Sequence, residues 1–76
     1  MNNTVEKMIG ANLRALRERA GLTQELLATK LQINGCDVTR SAVAKIEVGQ
    51  RHLYIDELIL IKKILDASYD DLLKTE

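Results

Sequence analysis

A chain of 76 residues with no Phe or Trp, 46% apolar and 29% charged, has room for one small domain whose core must be built from Leu, Ile, Val and Ala. Its single cysteine, Cys36, excludes an internal disulfide framework, and no run approaches the roughly 20 apolar residues of a membrane span. The formal net charge of zero by itself argues against a nucleic-acid binder, but residues 1–52 carry eight Lys and Arg against five acids, and residues 53–76 carry three against six.

That asymmetry is compatible with one basic face and one acidic end. The opening Met-Asn-Asn-Thr has neither the basic nor the apolar region of a signal peptide, so the expected location is the cytoplasm, with no membrane partner. Proline is absent and β-branched residues do not alternate over any long run, so the expected fold class is all-α.

The first helix is expected over residues 4–20. Asn3 or Thr4 can cap it, and Glu6 stands at capping-box spacing from Asn3. Its apolar stripe is Val5, Met8 with Ile9, Leu13, Leu16 and Ala20. Gly21 ends it, because glycine enters the left-handed conformation without steric cost. Thr23 caps a second helix, 24–33, with Leu27, Ala28 and Leu31 on one face. Asn34-Gly35 then signals a stop and turn. Thr39 caps a third helix, 40–48, which buries Val43 and Ile46, with Val38 as a staple before the cap. Gly49 closes it. Asp56 is the expected cap of a fourth helix, 57–66, with Leu58, Ile61 and Leu65 inward and Ile64 beside them. Ser68 caps a short fifth helix, 69–74, with Asp71 in the capping-box position and Leu72 and Leu73 packing back.

The third helix carries the clearest chemical signal. It buries one stripe and offers Arg40, Ser41 and Lys45 outward. A short helix of this kind suits the major groove, where Arg and Lys donate to guanine O6 and N7. Nothing in the chain groups into a catalytic Ser/His/Asp or Cys/His set, and no glycine loop cradles phosphate. His52 has no partner cluster for a metal. The reading is a non-enzyme with no cofactor and no metal. A lone loop cysteine such as Cys36 is inert in a reducing compartment.

The string Leu13-Arg14-Ala15-Leu16-Arg17-Glu18-Arg19-Ala20-Gly21-Leu22-Thr23-Gln24-Glu25, followed by Leu27-Ala28, resembles the opening of lambda-repressor-like, Xre/Cro type helix-turn-helix domains. Val38 to Arg51 is similar to that family's recognition helix and its exit, and Leu58, Ile61, Ser68, Asp70, Asp71, Leu72 and Leu73 match its closing helices. The resemblance covers roughly residues 9–73 and implies a five-helix fold; with the length of the chain, the reading is a single domain over 1–76 with its helix-turn-helix at 23–49. It implies sequence-specific binding of double-stranded DNA, commonly as a homodimer on a palindromic operator. Carried over by position, Gln24 and Thr39 contact phosphate, Arg40, Ser41 and Lys45 face base edges, and Gln50 and Arg51 meet the backbone after the third helix. Arg17 and Glu47 match a pair that joins the first and third helices internally.

Two departures stand out. The connection around Asn34–Asp37 is longer than the family's short turn, and Leu26 replaces a common acidic residue on the second helix. The expected function is a transcriptional regulator, with repression by blocking polymerase as the simplest mechanism. The other class of reading is a protein-interaction module, an antitoxin or adaptor with a protein partner. Leu26 and the surplus apolar residues Ile59, Leu60 and Tyr69 speak for it, or for a dimer contact.

Overall fold

Three hydroxyl side chains start three of the helices. Thr23 Oγ1 accepts from the Leu26 amide at 3.0 Å, Thr39 Oγ1 from Ala42 at 3.1 Å, and Ser68 Oγ from Asp71 at 3.0 Å. Each satisfies an amide that the first turn leaves without a carbonyl. The computed structural model describes residues 3–75, which form α1 (Asn3–Arg19), α2 (Gln24–Ile33), α3 (Arg40–Glu47), α4 (Ile55–Leu65) and α5 (Tyr69–Leu73). Among the described residues the fold is all-α, with no strand. The cap expected from the Asn3 side chain lies outside what is described.

The start of α4 departs from expectation. Asp56 lies inside the helix, and Tyr54 occupies the N-cap position. The reason is Glu57, whose carboxylate reaches back to accept the Tyr54 amide at 3.1 Å. A carboxylate at the third helical position can supply the cap that the N-cap side chain itself lacks. At its other end α4 stops at Leu65, where Asp66 takes the left-handed conformation with φ 50°. Aspartate tolerates that region better than most residues.

One apolar cluster joins all five helices. Leu13, Leu27, Leu31, Val38, Val43, Ile61 and Leu72 are fully buried within it. A buried leucine contributes on the order of 1.5–3 kcal/mol, so these few side chains supply most of what holds so small a domain together. The predicted stripe of α1 is only partly used. Leu13 and Leu16 are buried and Ile9 is half-buried, but Val5, Met8 and Ala20 stay at the surface. The contact that matters in this half of α1 is made by backbone: a Cβ on Gly10 would sit 2.2 Å from the Ile46 carbonyl oxygen and 2.7 Å from that of Glu47. Only glycine lets α1 and the end of α3 approach so closely. Gly49, at φ +79°, packs in the same way on Lys7.

The long α2–α3 connection does not separate the two helices, which pack directly against each other. Its extra residues fold back on α2. The Cys36 amide donates to the Leu31 carbonyl at 2.9 Å, and Gln32 Nε2 donates to the Val38 carbonyl at 2.9 Å. Val38 is thereby plugged into the core. Burial pushes the Cys36 thiol up from its ordinary value, which keeps it protonated and unreactive. At the far end, Asn12 Nδ2 donates to the carbonyls of Leu72 at 3.0 Å and Lys74 at 2.7 Å, tying α5 to α1.

Candidate nucleic-acid interface

The helix that offers Arg40, Ser41 and Lys45 is held from behind by one carboxylate. Glu47 is on the buried side of α3. It takes the Arg17 guanidinium in a two-point grip, Nε to Oε2 at 2.6 Å and Nη2 to Oε1 at 3.0 Å. Arg17 Nη1 goes on to the Leu22 carbonyl at 2.7 Å. Gln24 Nε2, at the start of α2, donates to the same Glu47 Oε1 at 3.0 Å. Three elements therefore meet at one charge: α1 through Arg17, α2 through Gln24 and α3 through Glu47. The hydrogen bond to Glu47 raises the Arg17 pKa further above its ordinary value. Side-chain exposures of 9% for Arg17 and 2% for Glu47 make this a buried pair.

With its inner edge fixed, α3 turns a continuous outer face to solvent. Arg40, Ser41, Lys45 and Val48 are exposed, and Ala44 is half-buried between them. At 3.6 residues per turn these positions fall on one side of the helix. Arg40 also borders a shallow depression shared with Thr23, Gln24 and Glu25, so the start of α2 and the start of α3 lie side by side. The first residues of two helices border it, and helix N-termini favour anions. Thr39, just before α3, also keeps a donor. Its hydroxyl oxygen accepts from Ala42, which leaves its proton for an outside acceptor.

The segment after α3 is arranged differently from what position alone implies. Gln50 is exposed, with its amide donating to the Lys45 carbonyl at 2.8 Å. Arg51 is turned inward. Its two terminal nitrogens each meet an oxygen of Glu57 at 2.9 Å, its Nη1 also donates to the His52 carbonyl, and its guanidinium lies 5.5 Å from the centre of the Tyr54 ring. The hydrogen bond from Arg51 holds the Glu57 carboxyl below its usual range, and that from the Tyr54 amide acts in the same direction, against the effect of burial. His52 Nδ1 meets Glu6 Oε1 at 2.6 Å, which fastens this loop to α1. Gln24 is likewise turned: its amide nitrogen is committed to Glu47, so its outward offering is the backbone N–H of the first helical turn.

The helix-turn-helix family pattern matches residues 13–72. The chain belongs to the lambda-repressor-like, Xre/Cro type helix-turn-helix family. Among curated proteins this domain is similar to the uncharacterized HTH-type transcriptional regulator YqaE of Bacillus subtilis, 42% identical over 69 residues, covering 91% of the chain and 55% of that protein. It is also similar to the control protein C.BamHI of Bacillus amyloliquefaciens, 31% identical over 74 residues, covering 96% of the chain and 85% of that protein. The chain thus spans little more than half of the first relative and most of the second. No solved structure matches it significantly. The family is one of DNA-binding transcriptional regulators, and among the described residues no helix is long and apolar enough to cross a membrane.

Three residues of this helix-turn-helix domain went unread in the sequence. Glu57 counts there only as a surface acid, although its spacing of six from Arg51 was available. Ala44 and Val48 are passed over because they are apolar, yet they lie four and eight residues after Arg40 on the same face. An apolar side chain in that place can meet a thymine methyl group.

Proposed function

We propose that this chain is a sequence-specific double-stranded DNA-binding transcriptional regulator that acts as a homodimer on a palindromic operator, most simply as a repressor. The observation that carries the reading is the two-sided construction of α3: its inner edge is locked through Glu47 to α1 and α2, and its outer edge is exposed and bears Arg40, Ser41 and Lys45. A rigidly held helix with that face docks in a major groove. Arg40 reads guanine with two donors, Lys45 donates as a point charge, and Ser41 adds a weaker contact. The amides at the start of α2, the Thr39 hydroxyl and Gln50 meet phosphates on either side. Arg51 shapes the exit loop for Gln50 and contributes its charge from behind.

Size supports the dimer. The long dimension of the chain is 31 Å, shorter than the about 34–36 Å between half-sites one helical turn apart. One copy reads one groove, and a second copy is needed for the next. The relatives' names, a transcriptional regulator and a control protein, support a regulatory role. A bound dimer over a promoter excludes polymerase without further machinery.

Selection of bound duplexes from a random DNA pool tests this reading, with Arg40→Ala run in parallel. The expected result is an enriched palindrome for the parent chain. In the variant, preference at one base pair of each half-site relaxes by about tenfold to a hundredfold. Failure to enrich any sequence at low salt overturns the reading. It turns attention to a protein partner, for which Leu26 (48% exposed) and Ile33 (78% exposed) on one side of α2 are the available apolar anchors.

A further inference from the structure

The outward face of α4 has no work inside the monomer. Ile61 and Leu65 point to the core, while Ile55 is 75% exposed and Ile59 40% exposed on the opposite side. Tyr69, 42% exposed, extends this apolar strip from α5 and packs on Lys62, whose Nζ lies 5.1 Å from its ring centre. α4 packs on α2, and α3 packs on α1 and α2. The strip shares no residue with the α3 face that bears Arg40 and Lys45.

Charge along the strip is ordered. Asp56 stands three residues before Ile59, and Lys63 stands four after it, both exposed and on the same flank of the helix. At about 1.5 Å rise per residue these are roughly 4.5 Å behind and 6 Å ahead of Ile59. A two-fold axis crossing α4 at Ile59 reverses the second helix and keeps the flank. Asp56 of each copy then faces Lys63 of the other, and Ile59 meets its own counterpart. On the other flank Ile55 lands over the Lys62 stem beside Tyr69. A parallel copy exchanges the flanks at constant height, so Lys63 of each copy falls beside Lys62 of the other, which is repulsive, and Asp56 falls over Ile55 with no cation to meet. The strip is self-complementary in one orientation only, as an isologous contact requires.

We propose that two copies of this chain pair through α4, antiparallel and centred on Ile59, with reciprocal Asp56–Lys63 contacts. The proposal rests on the homodimer reading above and adds the surface and its direction.

Sedimentation of the full chain over a wide concentration range tests it, with Asp56→Lys, Lys63→Asp and their equimolar mixture. Each swap alone places two like-charged pairs in the dimer and weakens association roughly tenfold. In the mixture every heterodimer contact pairs opposite charges, so association returns to the parent level. That rescue cannot arise from misfolded variants. If the parent dimerises and both swaps leave its dissociation constant unchanged, this surface is wrong and the homodimer stands. A parent chain that stays monomeric both free and on its selected duplex overturns the surface and the homodimer together. A mixture no stronger than either swap alone overturns the antiparallel register.

Discussion

Glu47 and Glu57 are both buried carboxylates gripped at two points by an arginine, but the arginines stand 30 and 6 residues away in the chain. The first pair closes a circuit through three helices. The second shapes one loop and the start of one helix. The long-range pair holds elements that nothing else in sequence keeps together, so its loss loosens the placement of α3. The short-range pair sits between segments that the chain already joins, so its loss is felt locally. Similar chemistry thus has different reach, set by the length of chain it spans.

The sharpest way to break this comparison is Glu47→Ala. Removing one partner of a buried pair costs on the order of 3–5 kcal/mol, so the melting temperature falls by more than about 10 °C in a domain of this size. An unchanged melting curve would show that the knot is ornamental. Gly10→Ala attacks the same junction by another route, forcing a methyl group onto the backbone of α3. The expected loss is about 1–3 kcal/mol, read by denaturant unfolding, and it arises without touching any charge.

Glu57→Gln is expected to cost less, about 1–2 kcal/mol, with faster amide exchange confined to residues 50–58. A loss as large as that of Glu47→Ala would erase the distinction drawn here. Glu57 also has a signature in pH. Its folded pKa lies below the ordinary 4.5, so as pH falls the unfolded chain takes up the proton first. Its stabilisation is complete above about that value and drains away as pH drops through the folded value. Glu57→Gln flattens this part of the acid limb. Arg40→Ala, which lies outside both pairs, shifts stability by no more than about 0.5 kcal/mol. Its melting curve is expected to stay that of the parent while preference at one base pair of each proposed half-site relaxes.

What could be read from the sequence was what local chemistry writes there. The starts of α2 and α3 follow from Thr23 and Thr39, whose short hydroxyl side chains cap only what comes next, and the end of α2 from Asn34-Gly35. Arg40, Ser41 and Lys45 share an exposed face because helical spacing and two buried neighbours leave them no other. The start of α4 escaped because its cap is supplied from inside the helix, by Glu57 acting on Tyr54. Val5 and Met8 keep the spacing of a stripe but stay exposed, Val5 at the rim of a cavity shared with Ile46, Leu58 and Leu73. The inward turns of Gln24 and Arg51 escaped for another reason. Each is a choice of side-chain partner, and Gln24's is fixed only once α2 and α3 have met. The family resemblance reached the Arg17–Glu47 junction, which is long-range. Nothing in it pointed to the Arg51–Glu57 pair.

The clasp that Asn12 makes on Leu72 and Lys74 has a consequence for how the chain is made. Its two halves are 60 and 62 residues apart, so α1 leaves the ribosome long before the segment it docks against. Until residues 72–74 emerge, Leu13 and Leu16 lack part of their final cover. Completion of the core is therefore tied to nearly the last step of synthesising this stretch, and a transcript cut short before α5 yields a polypeptide with its first helix unsealed, a substrate for proteases.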